Sequence, residues 1–201
     1  MKKIIVYDFD KTLTENDTLL DFFIFNEKRN LFFIIKFMLY LSFMVMSKFK
    51  IISNHKLKDF GIQIFLKNLP KEELEYKFFN FKDGIKYNFL FNNTDFTSDN
   101  IYIVSASFVE YLKPIFPNNV KVLASNIAYK NNTPYKLNFN CYGLNKIKIL
   151  QKEGIDKIDV FYTDSISDLP LVKISKKTIL IKDAKEIECI DTNDFVIKVK
   201  K

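Results

Sequence analysis

The chain has 201 residues, 48% hydrophobic and 27% charged, with a formal net charge of +7. That length holds one domain of ordinary size, or a core domain with a small insert, and buries a core without disulfide or metal staples. The apolar content excludes an intrinsically disordered chain, and 4 glycines with 5 prolines exclude a fibrous one.

The positive charge rests on lysine, since Arg29 is the sole arginine among 31 basic residues. Nucleic-acid recognition leans on arginine forks and aromatic stacking platforms, and no basic–aromatic motif of that kind is present. No nucleic-acid partner is therefore expected. The charge fits a lysine-rich composition and the steering of an anionic substrate. Cys141 and Cys189 form neither a CxxC nor a metal-spaced set, and read as reduced thiols of a cytoplasmic protein. His55, the lone histidine, reads as structural or solvent-facing, which leaves acid–base chemistry to carboxylates and lysines. Between Met1 and Asp8 the apolar run is Ile4 to Tyr7, too short for the hydrophobic stretch of a secretory signal.

The first predicted element is a buried strand, Ile4-Ile5-Val6-Tyr7, running into Asp8-Phe9-Asp10. A continuous apolar run that ends in acids suggests a central parallel strand with chemistry at its C-terminal end. Residues 15–82 carry no clear strand and read as a helical insert. Within it, Leu31 to Met46 is apolar but for Lys36, flanked by Lys28, Arg29, Lys48 and Lys50. It falls short of the ~20 apolar residues of a spanning helix. Its expected role is a pair of apolar helices packing on itself, on the core, or across a homodimer interface. Contact with a membrane surface is the less favoured alternative, and would make the protein membrane-peripheral. Lys56 to Leu69 reads as a helix with Leu57, Phe60, Ile64 and Leu69 near one face. Pro70 before Lys71-Glu72-Glu73-Leu74 reads as a helix start, with proline in the first turn.

After a polar stretch from Asn92 to Asn100, further strands are predicted at Ile101 to Val104, Val120 to Ala124 and Asp159 to Tyr162. Shorter ones are predicted at Thr178 to Ile181 and Phe195 to Ile197, with helices at Phe108 to Pro114 and Leu144 to Glu153. This βαβ alternation implies an α/β fold with a doubly wound parallel sheet.

Asp8 and Asp10 lie two residues apart at a strand end, so both side chains fall on one side of the extended chain. Like charges that close call for a cation. Asp164 and Asp168 form a second acidic pair after another predicted strand. Four carboxylates with no histidine or cysteine nearby in sequence make a hard, oxygen-only site suited to Mg²⁺.

Four segments, in order along the chain, resemble the motifs of the haloacid dehalogenase (HAD) superfamily. Asp8-Phe9-Asp10-Lys11-Thr12 is similar to its DxDxT motif, and Ser105 after Ile103-Val104 to its second motif. Lys146 within Cys141-Tyr142-Gly143-Leu144-Asn145-Lys146 is similar to its third motif. Thr163-Asp164-Ser165-Ile166-Ser167-Asp168-Leu169-Pro170-Leu171 is similar to its fourth, GDSxxDxPLL. Two positions depart from the pattern: Lys11 and Thr163 stand where glycine is usual. Thr163 is expected to alter the loop or crowd the substrate.

The resemblance implies a Rossmann-like core, residues 1–14 and 83–201, with a small all-helical C1 cap, residues 15–82, of the phosphoserine-phosphatase-like branch. It implies a Mg²⁺-dependent phosphomonoesterase. Asp8 would be the nucleophile and Asp10 the general acid and base. Asp8, the Asp10 carbonyl and Asp164 would hold the metal. Ser105 and the Ala106 N–H would bind the phosphoryl group, Lys146 would balance charge, and Asp168 would orient Lys146 or a metal-bound water. Thr12 would hold the catalytic loop or donate to Asp10.

Family enzymes that act on phosphoserine hold its carboxylate with a cap arginine, and nothing around Arg29 matches that clamp. Asp17 would instead receive an ammonium or hydroxyl from the substrate, though it also suits a helix N-cap. The expected partner is thus a small-molecule phosphomonoester of an amino alcohol, polyol or sugar, free or on a larger conjugate. A lipid phosphate at a membrane surface, a mutase reaction and a catalytically silent binding protein are the alternatives.

Overall fold

The computed structural model describes residues 3–25 and 27–201. Met1 and Lys2, at the start of the expected core segment, and Asn26, in the expected insert, lie outside them.

In chain order, β1 (Ile5–Tyr7) precedes helices α1 (Thr18–Ile24), α2 (Leu31–Lys48), α3 (Asn54–Gly61), α4 (Lys71–Phe81) and α5 (Phe89–Asn93). Then come β2 (Ile101–Phe108), α6 (Val109–Leu112), β3 (Lys121–Lys130), β4 (Thr133–Phe139) and α7 (Leu144–Lys152). β5 (Ile158–Thr163), α8 (Leu169–Val172), β6 (Ser175–Lys182), β7 (Lys185–Cys189) and α9 (Thr192–Lys200) complete the order. The strands form one seven-stranded sheet in the order β4-β3-β2-β1-β5-β6-β7. The inner five are parallel, and β4 and β7 close the two edges antiparallel. This is the doubly wound α/β sheet expected from the alternation.

Period-two alternation divides the inner strands between two apolar layers. Tyr7, Ile101, Ile103, Val160, Ile179 and Ile181 face one layer, together with the helices that follow β1. Val6, Tyr102, Val104, Phe161 and Leu180 face the other, with Leu150, Leu171 and Phe195. Both faces are covered, which is why these strands read as unbroken apolar runs. Cys141 and Cys189 are buried free thiols.

Both edge strands are additions to the sequence reading. The β3–β4 turn places Asn131 and Asn132 at φ 49° and 62°, and the β6–β7 turn places Asp183 and Ala184 at φ 50° and 56°. Two consecutive left-handed residues twist a tight hairpin in the sense of its strands. One strand is overturned: Phe195 to Ile197 lie in α9, capped by Asp191, whose side chain accepts from Asp194 N at 2.8 Å. Phe108, expected to open a helix, is the last residue of β2, and Pro70 is the N-cap of α4 rather than a first-turn residue.

The chain enters and leaves its long helical segment through a paired neck. Thr14 bridges Tyr87 antiparallel, with Glu15 N to Lys86 O at 2.9 Å and Asn88 N to Leu13 O at 3.0 Å. The segment shares the aromatic layer of the sheet: Phe22 stacks on Tyr111 and Phe78, and Phe23 on Phe65. α3 continues into a π turn, Ile62–Leu66, closed by Lys67 N on Ile62 O at 3.0 Å. Its inward stripe is Lys58, Gly61, Ile62, Phe65 and Leu66. The expected stripe, Leu57, Phe60, Ile64 and Leu69, is half-buried beside it. Gly61 is required by close approach, because a Cβ there would collide with the Phe23 ring and lie 3.0 Å from Tyr40 Cε2.

Leu31 to Met46 form a single helix, α2, and not a pair. Phe33 and Tyr40 are its buried residues. Tyr40 packs on Phe23 and Phe65, Phe33 stacks on Phe37, and Phe43 stacks on Phe60 of α3.

Candidate active site

The strand order reverses at β1: the chain winds out through β2 and β3, then resumes on the other flank with β5 and β6. Ligands of open α/β sheets bind at the carboxyl ends of strands beside such a reversal. Asp8 follows β1 and Asp164 follows β5, so both acidic motifs meet there. A cavity of about 200 Å³ opens at this point. Its floor is Asp8, Asp10, Lys146 and Asp164, with Ala106 and Ser107 from β2. Asp17 and Leu19 from α1, and Asn54 and Lys58 from α3, approach from the helical side.

Lys146 is the hub of the floor. Its Nζ lies 2.8 Å from Asp8 Oδ1 and 2.7 Å from Asp168 Oδ1, and all three groups are buried. Asp168 is thus paired with Lys146. Its Oδ2 accepts from Thr163 Oγ1 at 2.8 Å. The Thr163 departure therefore supplies a bond to the site, and Thr163 neither lines nor crowds the cavity. Burial opposes the Lys146 charge, but Asp168 and Asp8 outweigh it and raise its pKa.

Burial drives the Asp8 pKa well above the ordinary carboxylate range. Lys146 pulls it down, and Asp168 and Asp164 push it further up. Asp164 is raised to about 6, by burial first and Asp168 second. Three closely spaced carboxylates thus face one buried ammonium.

Asp10 is held differently. Its Oδ1 accepts from Thr18 N at 2.7 Å and Thr18 Oγ1 at 2.6 Å, and its Oδ2 from Ser107 Oγ at 2.5 Å. Burial and the Asp17 charge raise its pKa, and these bonds counter them in part.

Two sequence expectations change here. Thr12 is fully buried, does not line the cavity, and directs Oγ1 to Asp164 Oδ1 at 3.4 Å rather than to Asp10 or a ligand. Ser105 lies within β2, fully buried and off the cavity, its Oγ accepting from Ser107 N at 3.0 Å, whereas Ala106 and Ser107 line the wall. Asp17 caps α1 through Leu19 N at 3.1 Å and also lines the cavity. Arg29 is remote from the cavity and lies over the Phe33 ring. His55 is exposed.

Lys11 occupies a left-handed backbone position, φ 56°, where glycine is free of steric cost. Its departure from the motif adds a cation to the cavity rim.

The residue that sequence reading missed is Lys58. Almost wholly buried, it sends Nζ from α3 to Ala106 O at 2.5 Å, Asn140 Oδ1 at 2.8 Å and Ser125 Oγ at 3.4 Å. It joins the helical segment to the strand ends, and Asn54 adds a bond to Asn140 at 3.1 Å. Burial lowers its pKa to about 8. No local signal marked it, since the apolar stripe read from the sequence ran through Leu57, Phe60, Ile64 and Leu69.

No family model and no curated protein matches the chain. Solved structures do. A protein of unknown function from Bordetella pertussis Tohama I is similar at a TM-score of 0.71 and 16% identity, over 90% of each chain. The chain shares its fold with solved HAD hydrolases. A phosphoserine phosphohydrolase-like protein from Francisella tularensis matches with a TM-score of 0.62 at 16% identity, over 89% of this chain and 87% of its own. A HAD family hydrolase from Salmonella enterica serovar Typhi matches with a TM-score of 0.60 at 14% identity, over 86% of this chain and 60% of its own. Identities this low carry the architecture, and the chemistry rests on the residues in the cavity.

Proposed function

We propose that the protein is a phosphoric monoester hydrolase acting through an aspartyl-phosphate, with the helices beyond the Thr14–Tyr87 neck as its cap. The observation that carries this reading is the convergence of Asp8, Asp10, Asp164 and the Lys146–Asp168 pair on one cavity at the strand reversal. The similarity in fold to the phosphoserine phosphohydrolase-like protein and the HAD hydrolase supports it.

Asp8 attacks phosphorus, and the bond from phosphorus to the leaving oxygen breaks. Asp10, whose raised pKa favours the protonated form, gives its proton to that oxygen. Water then attacks the aspartyl-phosphate, Asp10 takes up the water proton, and inorganic phosphate leaves Asp8. Thr18 and Ser107 fix the orientation of Asp10 for both transfers. The Ala106 N–H, on the cavity wall, holds a phosphoryl oxygen, and Ser105 braces that wall by accepting from Ser107 N. Lys146, kept in place by Asp168, offsets the charge that builds on Asp8.

A divalent cation fits this donor set. Asp8 and Asp164 are carboxylates whose ionised forms burial and mutual repulsion disfavour, and Mg²⁺ restores them. Asp8, Asp164 and the Asp10 carbonyl would hold it, as the resemblance to the HAD motifs implies. When bound, Mg²⁺ screens nucleophile from phosphate and polarises the phosphoryl group.

The cavity suits a small headgroup, with Asp17 to receive an ammonium or hydroxyl and no arginine to clamp a carboxylate. An amino-alcohol, polyol or sugar phosphate meets those terms. A lipid phosphate is the second reading, favoured by the bare apolar face of α2. The test is phosphate release from a panel of these esters with Mg²⁺ or EDTA. Turnover that requires the metal and is abolished in Asp8→Asn is expected. Absence of turnover in the folded, metal-loaded protein across the panel would favour a binding role instead.

A further inference from the structure

The outward face of α2 inverts the usual pattern of a surface helix. Leu31, Phe32, Ile35, Met38, Leu39 and Val45 recur at the spacing of one helical face, and all are exposed, Leu31 by 74% and Phe32 by 66%. The face has no charge. Its one polar residue, Ser42, turns its hydroxyl back onto Leu39 O at 2.7 Å, so the group is satisfied without water. Lys36 lies on the packed flank, where it pairs with Glu27 at 3.4 Å. Phe49 and Ile51, both exposed, extend the patch past the helix end. Contiguous exposed apolar surface of this kind marks an interaction site.

Charge decides what covers it. Lys28 and Arg29 precede the helix, Lys48 and Lys50 follow its outward face, and no acidic residue occurs from Lys28 to Lys58. A second copy laid on this face would bring cation against cation at both ends, whether parallel or antiparallel. An anionic lipid surface complements both ends at once. Packing decides the geometry. The 18 residues of α2 span about 27 Å and are long and apolar enough to cross a bilayer by length and composition. The opposite face is held by Tyr40 against Phe23 and Phe65 and by Phe43 against Phe60, contacts a spanning helix would have to abandon.

We infer that α2 seats its outward face in the plane of an anionic bilayer, with the rest of the protein above it. α2 packs directly on α3, which supplies Asn54 and Lys58 to the cavity, so the docked surface adjoins the candidate active site. The inference does not depend on the phosphatase reading, because binding is measured without turnover.

The test is flotation of the full chain with vesicles of phosphatidylcholine and phosphatidylglycerol, against vesicles of phosphatidylcholine alone. Binding to the anionic vesicles is expected, weakening as salt is raised. The double variant Ile35→Asp, Met38→Asp should cut the bound fraction about tenfold or more, while circular dichroism and soluble phosphomonoester turnover stay at parental levels. Lys28→Glu with Lys48→Glu should weaken binding to the anionic vesicles alone. Failure to float on either vesicle overturns the inference. So does binding that ignores lipid charge, or a dimer in sedimentation velocity that the Ile35→Asp, Met38→Asp variant dissociates.

Discussion

Replacing Lys58 by methionine separates the stability of the helix–sheet junction from its function. The ammonium is buried among Ala106 O, Asn140 Oδ1 and Ser125 Oγ, and among the described residues no carboxylate pairs with it. Burial lowers its pKa from 10.5 to about 8. Cys141, Asp10 and Asp17 counter part of the fall and Lys146 adds to it. A fall of that size means that folding disfavours the charged form by about 3 kcal/mol. Methionine fills the volume of the lysine stem and removes that cost. Against the relief, Asn140 Oδ1 loses a charge-assisted bond worth about 1.5–3 kcal/mol. Ala106 O keeps the Ser125 hydroxyl at 2.7 Å. The two effects nearly cancel, so Lys58→Met is expected within about 1.5 kcal/mol of the parent near neutral pH. The sign with pH follows from a folded pKa below the unfolded one. The lysine's cost is complete below about pH 8 and fades towards 10.5, so the parent gains on the variant across that window. Urea unfolding of both proteins at about pH 7 and about pH 10 measures this. The loss of a cation at the cavity should lower kcat/KM for a phosphomonoester although the fold is intact. A destabilisation above about 3 kcal/mol near neutral pH, or a gap that does not move with pH, refutes the reasoning.

Lys11→Gly removes about 1 kcal/mol of left-handed strain and adds a similar unfolded-state entropy cost. Its Tm should hardly move while KM for an anionic substrate rises several-fold, most clearly at low salt. Gly61→Ala forces a methyl into the Phe23 ring, costing about 1–3 kcal/mol, of which the better helix propensity of alanine returns up to about 1 kcal/mol. Thermal unfolding should show the net loss, and an unchanged Tm would mean that Phe23 yields freely. Asp168→Asn leaves Lys146 with Asp8 alone in a buried site, so stability should drop by about 3 kcal/mol and kcat should fall more than KM rises. A kcat within twofold of the parent would remove Asp168 from the positioning of Lys146.

What was legible in the chain was local. Asp8 with Asp10, and Asp164 with Asp168, are acid pairs within a few residues at the ends of apolar runs, and strand alternation alone carries them to one sheet edge. Lys58 was not legible in that way, since its acceptors lie 48, 67 and 82 residues downstream. The hairpins divide by turn chemistry. Asn131-Asn132 announces two left-handed residues, whereas Ala184 at φ 56° runs against the preference of its side chain and is fixed by the pairing of β6 with β7. Phe195-Val196-Ile197 is short and β-branched enough to resemble a strand, and only the Asp191 cap and the packing of Phe195 against Leu171 and Leu180 make it helical.

The neck at Thr14 and Tyr87 returns the backbone to the place it left, so the strand framework could be closed there by a short turn and the lid exchanged for another. The aromatic stacking of Phe22 on Tyr111 forbids a clean exchange. A transplanted lid would meet exposed Phe108 and Tyr111 unless it brought matching rings, and would misplace Thr18, which holds the Asp10 carboxylate. Recognition and chemistry are modular in their wiring and indivisible in their folding. A new specificity in this scaffold is therefore reached by recoding the lid's inner wall, at Asp17, Leu19 and Asn54, rather than by grafting a lid whole.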